Sequence, residues 1–371
     1  MKKTLFLLAV VLSFNLSGYG QEQFPFHAAD KTSSILAYWY NCKPDSVRIA
    51  SFNETAYFNS SLQIYGPVLS DSLRVSVEVF LSDSSLVYSN NFTVKKGSSD
   101  KRYQIDEKNN YFRIMSIVDP LSSNPDNIKV TISSPETHME KWITCKYHKI
   151  YGHMTDFNGK PLRSFILVKP DAFEEASSVW SDNEGYYEIT LPERTYNCFY
   201  VNDGNYKSTT LEAWAWHMIV DNDQELDFKI GTGEVYNLNV WPNNGGFESL
   251  LLSFRPMVLG DRSNINSKLT INDKEFNLIN IAPELDIKDM KITINGKQAE
   301  IFSMQKYFET GNNMALPAYL IQVSRLASTF GKQTIRVEYD KSIELNGRKI
   351  IQNSMGYFQF NANYSGLSFF N

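Results

Sequence analysis

The residues from His148 to Tyr206 constrain the fold more than any other stretch. The run HKIYGHMTDFNGKPLRSFILV opens with a strand signal over 149–154, turns at Asp156-Phe157-Asn158-Gly159, and enters an apolar strand over 165–168. WSDNEGYYEITLPERTYNCFYVNDGNY then repeats the plan. It turns over 182–185, alternates through Tyr186, Tyr187, Glu188 and Ile189, turns again at Leu191-Pro192-Glu193-Arg194, and runs as a strand over 196–201. Asn-Gly and Glu-Gly pairs supply the left-handed backbone that tight antiparallel turns need. Turns of this kind between short β-rich runs are those of antiparallel hairpins, so the stretch reads as one small β-domain.

The order G-x-x-x-D-x-x-G-K-P-L … D-x-x-G-x-Y … L-P … Y is carried by Gly152, Asp156, Gly159, Lys160, Pro161 and Leu162, then by Asp182, Gly185, Tyr187, Leu191, Pro192 and Tyr196. It resembles the carboxypeptidase regulatory-like domain, a transthyretin-like sandwich grouped with carbohydrate-binding-like folds. The family's closing Gly-Tyr is split here by Asn205. The resemblance implies a fold and little about chemistry.

The flanking regions carry the same strand-and-turn rhythm. Before the central domain, strand-like runs recur over 34–40, 47–52, 62–65, 73–80, 85–94, 111–118 and 128–133, and Leu73 to Val79 alternates strictly, as a strand with one wet face does. Residues 122–126 read as loop and 133–136 as a domain edge. After it, Asn295-Gly296 and Asn346-Gly347 mark hairpins, and strands are expected over 249–257, 318–326, 332–339 and 356–360. This C-terminal pattern (strand, Asn-Gly, strand, Tyr319-x-x-x-Val323, Gly331-x-x-x-Ile335-x-Val337, Asn-Gly, Phe) is similar to bacterial immunoglobulin-like modules. Residues 211–220 fit two readings: Leu211, Trp214, Ala215 and Met218 follow helical spacing, and the apolar run also suits a strand. The expected architecture is all-β: several consecutive β-sandwich domains, with a signal peptide over 1–20 and sandwiches over 21–147, 148–230 and 231–371. Aromatics at 14%, with 21 Tyr and 24 Phe, suit half-buried strand faces.

The first residues, MKKTLFLLAVVLSFNLSGYGQEQ, place two lysines before an apolar core and small residues at 18–20, the pattern of an export signal cleaved after Gly20. The apolar run is far shorter than the ~20 residues a membrane-spanning helix needs. No cysteine stands near the cleavage point to take a lipid, no later stretch could cross a bilayer, and no series of amphipathic barrel strands follows. A net charge of −5 without a basic block argues against nucleic acid. Three cysteines (Cys42, Cys145, Cys198) are too few for a disulfide scaffold. One bridge remains open in an exported chain, with Cys145 and Cys198 as the pair, against buried thiols.

Catalytic motifs do not emerge. None of the five histidines (His27, His138, His148, His153, His217) begins an H-x-x-E or H-E-x-x-H zinc motif, and His148 and His153 are spaced to face opposite sides of one strand. There is no G-x-S-x-G elbow, no cysteine in a catalytic signature and no complete phosphate-binding glycine loop. The 41 acids leave a glycosidase pair open. The cluster Asp221-Asn222-Asp223-Gln224-Glu225-Leu226-Asp227 offers hard oxygens for calcium but lacks the glycine turn of a calcium loop, and also reads as a solvated loop. No cofactor is expected.

One aromatic cluster stands out. Trp214 and Trp216 would share a strand face near Tyr206, with Asp203 and Asn205 available for sugar hydroxyls. They read either as a glycan-stacking platform or as packing between the central and C-terminal domains. The function expected is an exported, non-enzymatic binding or structural protein at the envelope of a Gram-negative bacterium, in the periplasm or at the cell exterior, with a glycan or another envelope protein as partner. A carbohydrate-binding accessory protein and a hydrolase with an unrecognised site are the alternatives.

Overall fold

The computed structural model describes residues 36–40, 61–67, 71–96, 103–106, 111–117, 125–135, 138–169, 177–243, 247–259, 267–325, 331–345 and 347–362. The expected signal segment 1–20, the strand over 47–52, His27, Cys42 and Asn346 lie outside them. The chain is all-β: the described residues form 26 strands in five sheets and one 3-10 turn, Ile287–Asp289.

Two four-stranded antiparallel sheets come first. One orders Leu36–Tyr40, Ser61–Pro67, Tyr111–Ile117 and Tyr103–Asp106; the other orders Leu86–Lys95, Ser72–Phe80, Asn127–Ser133 and His138–Thr144. The strict alternation at 73–79 does what its period demands. Leu73, Val75, Val77 and Val79 are 0–1% exposed, as are Ile128, Val130 and Ile132 on the neighbouring strand. The segment after the expected domain edge at 133–136 does not leave this sheet, because His138–Thr144 pairs back onto Asn127–Ser133.

The remaining strands build three sheets around two cores. The middle sheet has eight strands in the order Ser177–Trp180, Phe165–Lys169, Arg194–Asn202, Ala213–Val220, Arg348–Ala362, Gly331–Leu345, Met290–Ile294 and Lys297–Gln298. A four-stranded sheet with Tyr147–Thr155 at its centre shares one core with it, formed by Ile150, Tyr187, Phe199, Ala215, Phe228 and Met355 among others. A six-stranded sheet, in which Gly233–Pro242, Ser249–Val258 and Met314–Ser324 are neighbours, shares the other core, which contains Leu167, Trp214, Leu252, Ile321, Val337 and Phe360. Strand Ala213–Val220 therefore contributes to both cores. Its continuous apolar sequence, ambiguous between helix and strand, is that of a strand covered on both faces.

The expected boundary at 230/231 is crossed by this middle sheet. Ala213–Val220 and Arg348–Ala362 pair in parallel, with Trp214 opposite Gly356 and Trp216 opposite Phe358. Buried side-chain amides stitch the junction. Gln359 Oε1 accepts the Ile219 N–H at 2.8 Å and its Nε2 donates to Gln224 Oε1 at 2.8 Å, while Gln224 Nε2 donates to the Ile219 carbonyl at 2.7 Å. Left unpaired, each of these buried groups would cost about 1–3 kcal/mol.

The two D-x-x-G motifs fold into the same turn. Asp156 Oδ1 accepts the N–H groups of Asn158 and Lys160, and Asp182 Oδ1 accepts those of Glu184 and Tyr186. Gly159 (φ +82°) and Gly185 (φ +78°) take the left-handed position. Gly152 serves a different need: a Cβ there would stand 2.4 Å from the Leu226 carbonyl oxygen. Tyr187 and Tyr196 are buried and donate to the carbonyls of Leu226 (2.6 Å) and Pro192 (2.8 Å). Asn295-Gly296 is the expected hairpin, with φ +49° and +77°. The sequence reading missed the hairpins at Asn272-Asp273 and Asn312-Asn313, where residues without glycine's freedom hold positive φ.

Candidate functional site

The glycan-site residues expected from the sequence separate into two places. Asp203, Asn205 and Tyr206 lie on the loop that follows Arg194–Asn202, and there the polar groups hold the loop itself. Asp203 Oδ1 accepts the Asn205 N–H at 2.9 Å and the Thr210 hydroxyl at 2.7 Å, and Asn205 Nδ2 donates to Asp203 Oδ2 at 3.2 Å. The Lys207 ammonium stands 4.8 Å from the centre of the Tyr206 ring.

Trp214 and Trp216 share a face, as alternation requires, but that face is interior: they are 4% and 9% exposed. Their rings stack on each other at 4.9 Å, with Tyr236 edge-on to both at 5.3 Å and Tyr200 edge-on to Trp214 at 5.1 Å. The platform expectation is corrected on this point, since neither indole offers a sugar an open face. The cause is topological: strand Ala213–Val220 is central in a sheet covered on both sides, whereas a stacking platform needs an outer face or an edge.

What the rings enclose is a pair of carboxyl groups that the sequence reading did not single out. Glu212 and Glu234 are 5% and 3% exposed, and their carboxyl groups are neighbours. Trp214 Nε1 donates to Glu234 Oε2 at 3.0 Å, and Tyr206 reaches Glu212 from the loop. Burial holds the Glu234 carboxyl well above the ordinary range, and the charge of Glu212 beside it adds to the rise. Burial raises Glu212 as well. Three neighbouring polar atoms (Glu212 Oε2, the Tyr200 hydroxyl oxygen and Trp216 Nε1) are buried without a hydrogen-bond partner among the described residues. One signal was available in the sequence. Glu212, Trp214 and Trp216 have the same parity, so a strand that turns both indoles inward turns this acid inward too.

The other candidates resolve into separate local contacts. His148 Nε2 lies 3.0 Å from Glu193 Oε2, His153 packs edge-on to Tyr186 at 5.5 Å, and His217 Nδ1 meets the Gln359 carbonyl at 2.7 Å. In the acidic stretch, Asp223 Oδ1 caps the Lys149 N–H and Asp227 Oδ1 the His153 N–H, each at 2.8 Å, while Asp221 and Asn222 face Lys332. Asp223 and Asp227 hold the backbone of strand Tyr147–Thr155, Asp221 meets Lys332 of the middle sheet, and the acids do not converge. Among the described residues no group of three or more His, Cys, Asp or Glu is placed to hold a metal ion. Cys145 and Cys198 are both free thiols rather than a bridge, and burial pushes them up to about 11 and about 12.

No family model matches the chain. Comparison with curated proteins also gives no match. Among solved structures, a marsupial T cell receptor is 9% identical at a TM-score of 0.17, with 86% of this chain and 98% of that one covered. The major pilin subunit of Bacillus cereus is 9% identical at 0.17, covering 58% of this chain and 69% of its own. A tetra-tandem repeat from the extending region of a large adhesion protein is 12% identical at 0.18, covering 88% and 74%. Likeness this slight carries no argument about what the chain does.

Proposed function

We propose that the protein is an exported, non-enzymatic β-scaffold that serves as a structural or binding module at the envelope of a Gram-negative bacterium. The observation that supports it best is the parallel pairing of Ala213–Val220 with Arg348–Ala362, which runs one sheet through two sandwiches. Two modules fused through a sheet cannot swing about a linker, so a partner bound at one end is held at a fixed attitude to the other. The sequence of residues 1–20 supplies the route out of the cytoplasm. Fractionation of the native host, with N-terminal sequencing of the recovered protein, tests this reading. Recovery outside the cytoplasm beginning at Gln21 supports it, and an intact Met1 in the cytoplasm overturns it.

A glycan partner is a second reading, favoured by one observation at a different place from the one expected. Trp142 is 51% exposed on the outer face of the sheet containing His138–Thr144. Its ring centre is 5.4 Å from that of Phe80, and its Nε1 donates to Glu140 at 2.8 Å. Lys129, which pairs with Glu140 at 2.9 Å, stands 5.5 Å from the centre of the same ring. Such an indole, fixed in place and open on one side, is a surface on which a sugar ring stacks. A glycan array answers the question: hits that vanish in Trp142→Ala support the reading, and an array without hits removes it.

A further inference from the structure

Glu212 and Glu234 stand where the middle sheet meets the six-stranded sheet. Glu212 lies two residues before Trp214 and points to the same side. Glu234 is the second residue of strand Gly233–Pro242, its carboxyl held by Trp214 Nε1 and its backbone carbonyl 3.5 Å from the Tyr339 hydroxyl of strand Gly331–Leu345. The packing has no slack. A Cβ on Gly233 would fall 2.0 Å from the Tyr339 hydroxyl, and one on Gly356, opposite Trp214, would fall 2.9 Å from the Val235 side chain.

Two ionised carboxylates cannot sit together in such a box, because each lacks water and each repels the other. A carboxyl that keeps its proton can instead donate to its neighbour. We propose that one proton shared between Glu212 and Glu234 is a structural part of this joint, and that its loss as the pH rises loosens the contact between the two sheets. The unpartnered atoms fit this arrangement. Glu212 Oε2 meets no N–H or O–H donor among the described residues, so a second full negative charge there would be unsupported.

The surrounding charges do not remove the need for the proton. On the Glu212 side stand Lys207, Tyr206, Tyr200 and Asp203. On the Glu234 side stand Arg255, Tyr236 and Tyr339. Arg255 is already engaged by Glu309 at 3.2 Å, and its guanidinium lies over the Tyr236 ring at 4.8 Å. Lys207 is drawn over Tyr206. Raised above its unfolded value of 4.5, the Glu234 carboxyl binds a proton more tightly in the folded state. Its contribution to stability is therefore complete at acid pH and is lost as the pH climbs through the folded value.

Infrared spectra of the full chain in heavy water, with melting curves taken between about pH 5 and about pH 8, test the proposal. The wild type is expected to show a protonated-carboxyl carbonyl band at neutral pH that disappears in Glu234→Gln. Its melting temperature should fall across the window with at least twice the slope of that variant. A wild-type spectrum without the band overturns the proposal, as does a band that survives in both Glu234→Gln and Glu212→Gln. Parallel melting slopes overturn it too. Should Glu234→Gln fail to fold, Glu212→Gln supplies the comparison, since its amide can donate to the remaining carboxylate.

Discussion

The sheet around Ser72–Phe80 and the middle sheet around Ala213–Val220 solve the burial problem in opposite ways. The first has one covered face, and its other face carries charge: Glu78, Lys129 and Glu140 form a ladder across three strands. The second is covered on both faces, so a polar group it carries finds a partner inside, as Gln359 does in Gln224, or goes without, as the Tyr200 hydroxyl and Trp216 Nε1 do among the described residues. A sheet with one wet face can lose a surface residue and keep its fold. A sheet in the middle of three layers cannot, and its sequence is tied to that of two other sheets.

Cutting the chain gives the largest expected effect. A protein ending at residue 230 keeps Ala213–Val220 but loses its partner strand and the six-stranded sheet over Trp214 and Trp216. The central strands should then fail to fold, seen as loss of a cooperative melt and as aggregation through the bared aromatic face. A soluble truncated chain that melts sharply would show that the sequence-derived boundary at 230/231 separates independent units.

Tryptophan substitutions put the same contrast on one scale. Trp214→Ala removes a buried indole with three aromatic neighbours and should cost about 3–5 kcal/mol. Trp142→Ala removes a half-exposed one and should stay within about 0.5–1 kcal/mol. Urea titrations of the two variants check this, and comparable losses would mean that the outer face of the first sheet is covered in solution.

Legibility in the sequence follows the same division. Leu73 to Val79 reads directly because water on one face imposes a period of two. Ala213-Trp214-Ala215-Trp216 does not, because two dry faces erase the period and a helix fits the spacing of 211–218 as well. The D-x-x-G turns and Asn295-Gly296 were visible because local backbone chemistry dictates them. The parallel pairing of Trp214 with Gly356 was hidden, since it joins residues far apart in sequence and rests on shape. The candidate site is hidden for the same reason: strand spacing puts both tryptophans on one face, but the burial of that face depends on strands that come later in the chain. The meeting of Glu212 and Glu234 is hidden as well, since it joins residues at two different sheets.

Two glycines in and just after strand Tyr147–Thr155 sharpen the comparison at smaller magnitude. Gly152→Ala would force a methyl to 2.4 Å from the Leu226 carbonyl oxygen, a backbone atom that cannot step aside. It should cost about 3 kcal/mol. Gly159 has nothing within 4 Å of a Cβ, so Gly159→Ala carries only the left-handed backbone penalty of about 1–2 kcal/mol. Thermal melts that rank the two in reverse would show that the segment at Leu226 relaxes around residue 152.

The smallest effects should come from the two aspartates of the repeated turn, and here equality is the informative outcome. Asp156 and Asp182 each accept two backbone N–H groups through one carboxylate oxygen, at 2.8–3.0 Å, in exposed turns. Replacing either with alanine leaves those N–H groups to water, so the loss should be about 1 kcal/mol in each case. Asparagine keeps the accepting oxygen and should recover most of it. The Asp182 turn differs in one respect: the Gly185 carbonyl accepts the Met154 N–H at 2.8 Å, which ties that turn to the strand whose end leads into the Asp156 turn. Equal losses in chemical denaturation would mean that each motif acts as a local turn. A clearly larger loss at Asp182 would mean that the repeated motif, alike in its Asp and Gly, has been recruited at its second copy to hold neighbouring strands in register.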